Sequence, residues 1–458
     1  MSALSQSVGD FIARTRYEDL SPAAVDMTKR CLLDAIGVSL GASGLGEGCR
    51  AFIDLALEQG GRAQCAILGE QRQAPPEAAA FANGALAHAL DYEDSHDGAL
   101  IHPNAPVVPA ALAIAEAFAP VSGRDLITAV AIGCDVGVRM ALSLRVSLAE
   151  FGWYPPPILA AFGATAAAAR LLHLDTRQTV DALSLLQCQS TCSGEIIHSP
   201  HSLVRAVRDA FAARAGVTSA LLAHRGVTGF DAPLEGRAGF FACYARNQYD
   251  PQALTAELGR RFEIENISFK PWPSCRGTHA AIEAALHGVR LHRIRPQQID
   301  RVVIHGGRML SMLAEPIDSK RRPSTAIDAK FSLPFTVATA LVHGRVGLQS
   351  FLPGALTDAE VLRLAARIEV RSDAPHPTAI GAVLELHLHD STTTRIEVDR
   401  PRGGPGNPLS DEDLIEKFIE CAGHAARPLD AASARRFVDT LLNLEQLERV
   451  DDLMTLLH

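Results

Sequence analysis

Residues 400–418 read RPRGGPGNPLSDEDLIEKF, and how this stretch is read decides the fold. Its glycines and prolines make a linker and exclude a regular helix or strand. Ser410 then offers a hydroxyl for an N-cap, with Asp413 at the capping-box position, where Asp is a weaker choice than Glu. A helix therefore restarts here, and helices are expected from there to His458.

The segment before this restart has a different texture. IDRVVIHGG (299–307) and ARIEVRSD (366–373) are short β-branched runs, and AVLELHLHDSTTTRIEVDR (382–400) reads as a hairpin about a polar turn. Helices are expected between them, at Thr278–Leu291 and Ser332–His343. Upstream, to about residue 262, helical patterns alternate with short turns. SPAAVDMTKRCLLDAIGVSL opens with the Ser21–Pro22 cap pair and spaces Val25, Met27, Cys31, Leu32 and Ile36 near a period of 3.6. The expected architecture is mainly α: a large all-helical domain, residues 1–265 and 405–458, interrupted by a smaller α+β domain, residues 266–404. A cleft between the two is the default place for a ligand.

Composition bounds the function. The chain has 458 residues, 47% hydrophobic and 21% charged, with abundant alanine, which lets helices approach closely. A net charge of −9 argues against nucleic acid as a partner. Nine scattered cysteines, an odd number, do not form a disulfide framework, and a reducing cytoplasm fits them best. Cys188 and Cys192 are expected as core thiols in a helical stretch. No signal pattern opens the chain, and PPPILAAFGATAAAA (155–169) is too short to span a bilayer, so no membrane partner is expected.

Four stretches could carry chemistry. AHALDYEDSHDGALIHP (87–103) places seven titratable side chains between two Ala-rich segments. His88 and Asp91 share a face if the helix reaches that far, whereas His102 precedes a proline and belongs to a loop. The histidines have no established metal register, so an acid–base site is preferred over a metal site or a solvated acidic loop. SFKPWPSCRGTHAAIEAAL (268–286) gathers Lys270, Arg276 and His279 near a helix start, which suits anion binding and equally suits a surface loop. In GEIIHSPHSLVRAVRDAFAARAGVTSALL (194–222), Arg205 and Arg208 share one helix side, as a carboxylate clamp or an exposed charged face. Tyr154 precedes three prolines at the entry to a further helix. No nucleotide-binding glycine loop, nucleophile elbow or HExxH motif is present.

Five blocks in order, NGALAHALDYEDSH with HPNAPVVPAALAIAE, LEGRAGFFACYA (234–245), KPWPSCRGTHAAIEAAL, AKFSLPFTVATAL and GNPLSDEDLIEKF, give the chain an end-to-end resemblance to the MmgE/PrpD family. That family includes 2-methylcitrate dehydratase, cis-aconitate decarboxylase and iminodisuccinate epimerase. The resemblance implies an all-helical domain with an α+β lid, a homodimer, no organic cofactor and no metal. It also implies chemistry on small di- or tricarboxylates at a carbon next to a carboxylate. Asp91, Ser95, His102, Lys270 and His279 match family site positions. Tyr154 replaces a family histidine, Arg205 and Arg208 stand for a lysine and a histidine, and Phe335 stands where the decarboxylase uses a tyrosine. Arginine stays protonated and phenylalanine transfers nothing, which weakens the decarboxylase reading.

The expectation is a cofactor-independent lyase of the dehydratase type, with epimerisation, decarboxylation or a catalytically inactive carboxylate binder as alternatives. His102 is the expected base or acid, Asp91 its orienting partner, and Tyr154 and His279 the proton donors. Arg205, Arg208, Lys270, Arg276 and Ser95 are expected to bind the substrate.

Overall fold

A computed structural model describes residues 3–199, 202–307, 310–372 and 380–457. It is mainly helical, with a small α/β part. The chain divides into two compact units. The first comprises Met1–Ala89, Glu93–Ile267 and Ser410–His458; the second comprises Leu90–Tyr92 and Ser268–Leu409.

In the first unit, helix α1 (Pro22–Leu45) starts as the sequence dictates, with the Ser21 hydroxyl accepting the Ala24 N–H at 2.9 Å and Pro22 in the first turn. It is followed by α2 (Pro76–Ala89), α3 (Asn104–Ala117), α4 (Gly123–Leu142), α5 (Pro155–Leu171) and α6 (Asp209–His224). The helix Asp411–Gly423 packs on α1, where Lys417 meets the buried Asp34 at 2.6 Å. Its Ser410–Asp413 capping box forms as read from the sequence.

Small residues set the helix spacing. A Cβ on Gly163 would lie 2.4 Å from the Gly133 carbonyl oxygen, so α4 and α5 touch backbone to backbone. A Cβ on Gly84 would lie 2.9 Å from both the Cα of Ala210 and the carbonyl oxygen of Asp209. That contact presses α2 onto the start of α6 and brings two functional segments together.

Two expectations need correction. The helical unit is not entirely helical: Cys65–Ala66 pairs antiparallel with Gln73–Ala74, and Glu116 accepts the Ala66 N–H at 3.0 Å. The helix Thr176–Leu186 ends before Cys188, so Cys188 is exposed and Cys192 half-buried, and neither is a core thiol.

The second unit holds a four-stranded sheet of β1 (Ile299–Gly306), β2 (Ile368–Arg371), β3 (Ala382–Leu388) and β4 (Thr393–Val398), in the order β2-β1-β3-β4. β1 pairs parallel to β2, with Val302 beside Ile368, and antiparallel to β3, with Ile304 opposite Leu384. β3 and β4 form the expected hairpin, with Leu384 opposite Ile396. The expected strand at 366–373 is shorter at both ends, and Asp373 lies outside the described residues. Helices α7 (His279–Arg290) and α8 (Leu333–His343) pack against each other; α7 also packs on β3 and β4, and α8 on β2.

Candidate functional site

Helix α2 presents His88 in its last turn and stops at Ala89. Asp91 lies two residues on with φ 49°, a left-handed conformation that Asp tolerates better than most residues and that ends a helix. His88 and Asp91 therefore do not share a helix face. The chain then folds into a short loop in which His96 N–H donates to Ile101 O at 3.0 Å and Leu100 N–H to His96 O at 2.8 Å. This loop delivers His102 just ahead of α3.

Within the first unit, Glu93 stands between two histidines. Its Oε1 lies 2.6 Å from His88 Nδ1 and 2.9 Å from His102 Nδ1, and the two rings are 5.1 Å apart. His102 Nδ1 is also 3.0 Å from the Asp94 carbonyl oxygen. Both neighbours of Nδ1 are acceptors, so Nδ1 carries the proton and the Nε2 lone pair is left for chemistry. His102 Nε2 makes no hydrogen bond or ion pair among the described residues. His88 is different: its Nε2 accepts from Arg208 Nη1, and burial and then the Arg208 charge hold its pKa below the usual histidine range. It is a neutral spacer between Glu93 and Arg208.

Arg205 and Arg208 are buried, which removes the exposed-face reading. Arg208 begins a separate helix from Arg205, and its Nη1 donates to Arg205 O at 2.7 Å while its Nε lies 3.6 Å from Asp209 Oδ2. Both guanidiniums lie near the Tyr154 ring, Arg208 at 5.1 Å and Arg205 at 6.0 Å from its centroid. Ser95 is buried, and its Oγ has no hydrogen-bond partner among the described residues. An orphaned buried hydroxyl of this kind is what a ligand group would satisfy.

In the second unit, Lys270 and Asp91 are fully buried and paired at 2.7 Å, and Lys270 also donates to Asp91 O at 3.1 Å. Tyr92 OH reaches Pro271 O at 3.4 Å. These bonds explain why Leu90–Tyr92 belongs with this unit, whereas the sequence reading keeps it in the helical domain. His279 is fully buried against Trp272; its Nε2 donates to Ser274 O at 3.1 Å and its Nδ1 accepts from Arg276 Nη1 at 3.3 Å. Arg276 donates to Arg402 O at 2.7 Å and Pro401 O at 3.1 Å. The pair expected to donate a proton and bind an anion thus ties down a loop. Phe335 is a fully buried apolar side chain on α8.

The ligand atoms of His88, Glu93 and His102 lie within 4.8 Å of one another, close enough to suggest a metal. The chemistry fits hydrogen bonding better. Both Nδ1 atoms already face one carboxylate oxygen, and the Arg208 cation touches the other nitrogen of His88. In the sequence His88 and Glu93 are two of seven titratable groups, and no local signal assigns either a role. Nothing in DYED separates Glu93 from its acidic neighbours until the backbone turns at Asp91.

The protein belongs to the MmgE/PrpD family. The MmgE/PrpD N-terminal domain matches residues 6–252, and the MmgE/PrpD C-terminal domain matches residues 272–445. It is similar to the cis-aconitate decarboxylase-like protein oryM of Aspergillus oryzae, at 27% identity over 98% of this chain and 96% of the relative. The human cis-aconitate decarboxylase is 25% identical, over 100% of this chain and 95% of its own length. The 2-methylcitrate dehydratase of Cupriavidus necator is 24% identical, over 88% of this chain and 87% of its own. These names support a lyase-like role.

Proposed function

We propose that the protein is a lyase that removes a proton next to a carboxylate of a small hydroxy di- or tricarboxylate and expels the β-hydroxyl as water. The observation that carries this reading is His102, with Nδ1–H held by Glu93 and the Asp94 carbonyl and Nε2 without a protein partner among the described residues. Nε2 takes the C–H proton, the electron pair forms the double bond, and the C–O bond breaks. Glu93 stabilises the imidazolium that results. Arg205 and the Ser95 hydroxyl hold the carboxylate on which charge builds. Tyr154, beside both guanidiniums, gives its proton to the leaving hydroxyl and regains one from His102 through solvent. Arg208 is assigned to holding His88. Asp91 with Lys270 holds the Leu90–Tyr92 turn, and Arg276 with His279 holds the loop at Pro401.

Decarboxylation of a cis-aconitate-like substrate is the second reading, favoured by the names of the relatives. Epimerisation shares the deprotonation but returns a proton to the opposite face of the same carbon, with the C–O bond left intact. We further read the protein as a cytoplasmic homodimer working without organic cofactor or metal. The exposed thiols of Cys188 and Cys243 suit a reducing compartment, and the exposed Leu203, Val204 and Phe211 suit a protein contact.

Proton NMR in D₂O tests the proposal. Chelator-treated protein is incubated with citrate, 2-methylcitrate, cis-aconitate, malate and N-substituted aspartates. Loss of the α-proton signal with alkene formation, reduced about 10²–10⁴-fold in His102→Gln, is expected. Release of CO₂ without loss of water would move the assignment to decarboxylation. A His102→Gln protein of wild-type rate would end the assignment of the base.

A further inference from the structure

The loop that carries His102 is closed at its base by two side chains that proton transfer does not use. Asn104 Nδ2 donates to Asp94 Oδ2, and both side chains are buried. The same Asp94 offers its backbone oxygen to His102 Nδ1 at 3.0 Å. Asp94 therefore grips the loop twice, through its side chain to the residue that opens α3 and through its carbonyl to the imidazole.

Burying a carboxylate is expensive, and its surroundings make this one more so. Asp34 and Cys31 face it from α1, Cys134 from α4, and Glu93 precedes it in the chain. Burial and then the Asp34 charge push the Asp94 pKa up to about 7. An apolar residue would fill the same space at lower cost but could not hold Asn104.

We infer that Asp94 is a positioning residue for His102, its side chain anchored on Asn104 so that its carbonyl acts together with Glu93 to keep the imidazole proton on Nδ1 and Nε2 free to act as base. The inference rests on the proposed role of His102, although the tautomer itself is a property that needs no substrate. Since the anchor is a hydrogen-bond acceptor, Asn at position 94 serves as well as Asp.

Nitrogen-15 NMR of histidine-labelled protein, with His102→Gln to assign the signal, reads the tautomer directly. In Asp94→Ala and Asn104→Ala, His102 is expected to leave the Nδ1–H form for a mixture. Deuterium exchange on 2-methylcitrate or cis-aconitate, whichever the wild type turns over, should fall about tenfold to a hundredfold in kcat with little change in KM. Asp94→Asn should keep the Nδ1–H signal and lie within about threefold of the wild-type rate. Thermal unfolding checks that the variants fold, and Asn104→Ser, the milder change, replaces any variant that does not. An unchanged Nδ1–H signal in the folded Asp94 and Asn104 variants would overturn the inference, whatever the rates. Full activity in His102→Gln would instead overturn the base assignment and leave the spectra to decide the positioning role.

Discussion

His102 and His279 both stand near prolines with a helix beginning at or just after them, His102 behind an acidic run and His279 behind Lys270 and Arg276. The folded chain treats the two imidazoles differently. His102 has one nitrogen held by acceptors and the other without a protein partner among the described residues. His279 is fully buried, with one nitrogen on the Ser274 carbonyl and the other on Arg276. A histidine whose nitrogens are both occupied stabilises the loop around it, whereas one with a free lone pair can move a proton. The difference lies in the partners each local turn brings to the ring, Glu93 and Asp94 to one nitrogen of His102 and Ser274 and Arg276 to both nitrogens of His279.

The sharpest way to break this comparison is to substitute both histidines by Gln. His102→Gln should lose about 10²–10⁴-fold in turnover with its unfolding midpoint nearly unchanged. His279→Gln should keep turnover within about threefold and lose about 1–3 kcal/mol of stability by urea unfolding. The opposite pattern would exchange the two roles.

A second expectation concerns the buried Lys270–Asp91 ion pair. Lys270→Met leaves the Asp91 charge buried and should cost about 3–5 kcal/mol. The double change Lys270→Met with Asp91→Leu should recover most of it in the same unfolding measurement. A double variant as unstable as the single one would show that the pair does more than neutralise itself.

The third effect is a pH dependence. Asp94 has its pKa raised from 3.8 to about 7, so the fold favours its protonated form. Its contribution is complete below about pH 4 and is lost as pH rises through 7. Asp94→Asn cannot lose a proton, and relative to the wild type it should gain about 2–4 kcal/mol between pH 4 and pH 7. A difference that stays constant with pH would place the Asp94 pKa in the ordinary carboxylate range.

Much of this molecule was legible beforehand. The Ser21–Pro22 and Ser410–Asp413 starts form as read, since a cap needs only a side chain and the backbone a few residues on. The β3–β4 hairpin follows from alternation, another local signal. His102 stands out by its proline and its place after an acidic run. The roles of Glu93 and His88 were not legible, because three acidic residues in DYED are equivalent until Asp91 turns the chain. Cys188 is exposed because the helix stops at Leu186, where no glycine or proline announces an end.

By itself the sequence determined the helical character, the interruption by an α+β segment, the family and the residues able to do acid–base chemistry. Those properties depend on composition and on neighbours within a few positions. Only the tertiary structure decided which carboxylate meets which imidazole, which arginines are buried and which histidine keeps a lone pair. Those outcomes depend on how the backbone turns at Asp91 and on side chains brought together from distant parts of the chain. Gly84 letting α2 press on α6 sets His88 against Arg208, 120 residues away in sequence. A hydrogen bond is made or lost over a few tenths of an ångström, and local patterns do not carry that precision.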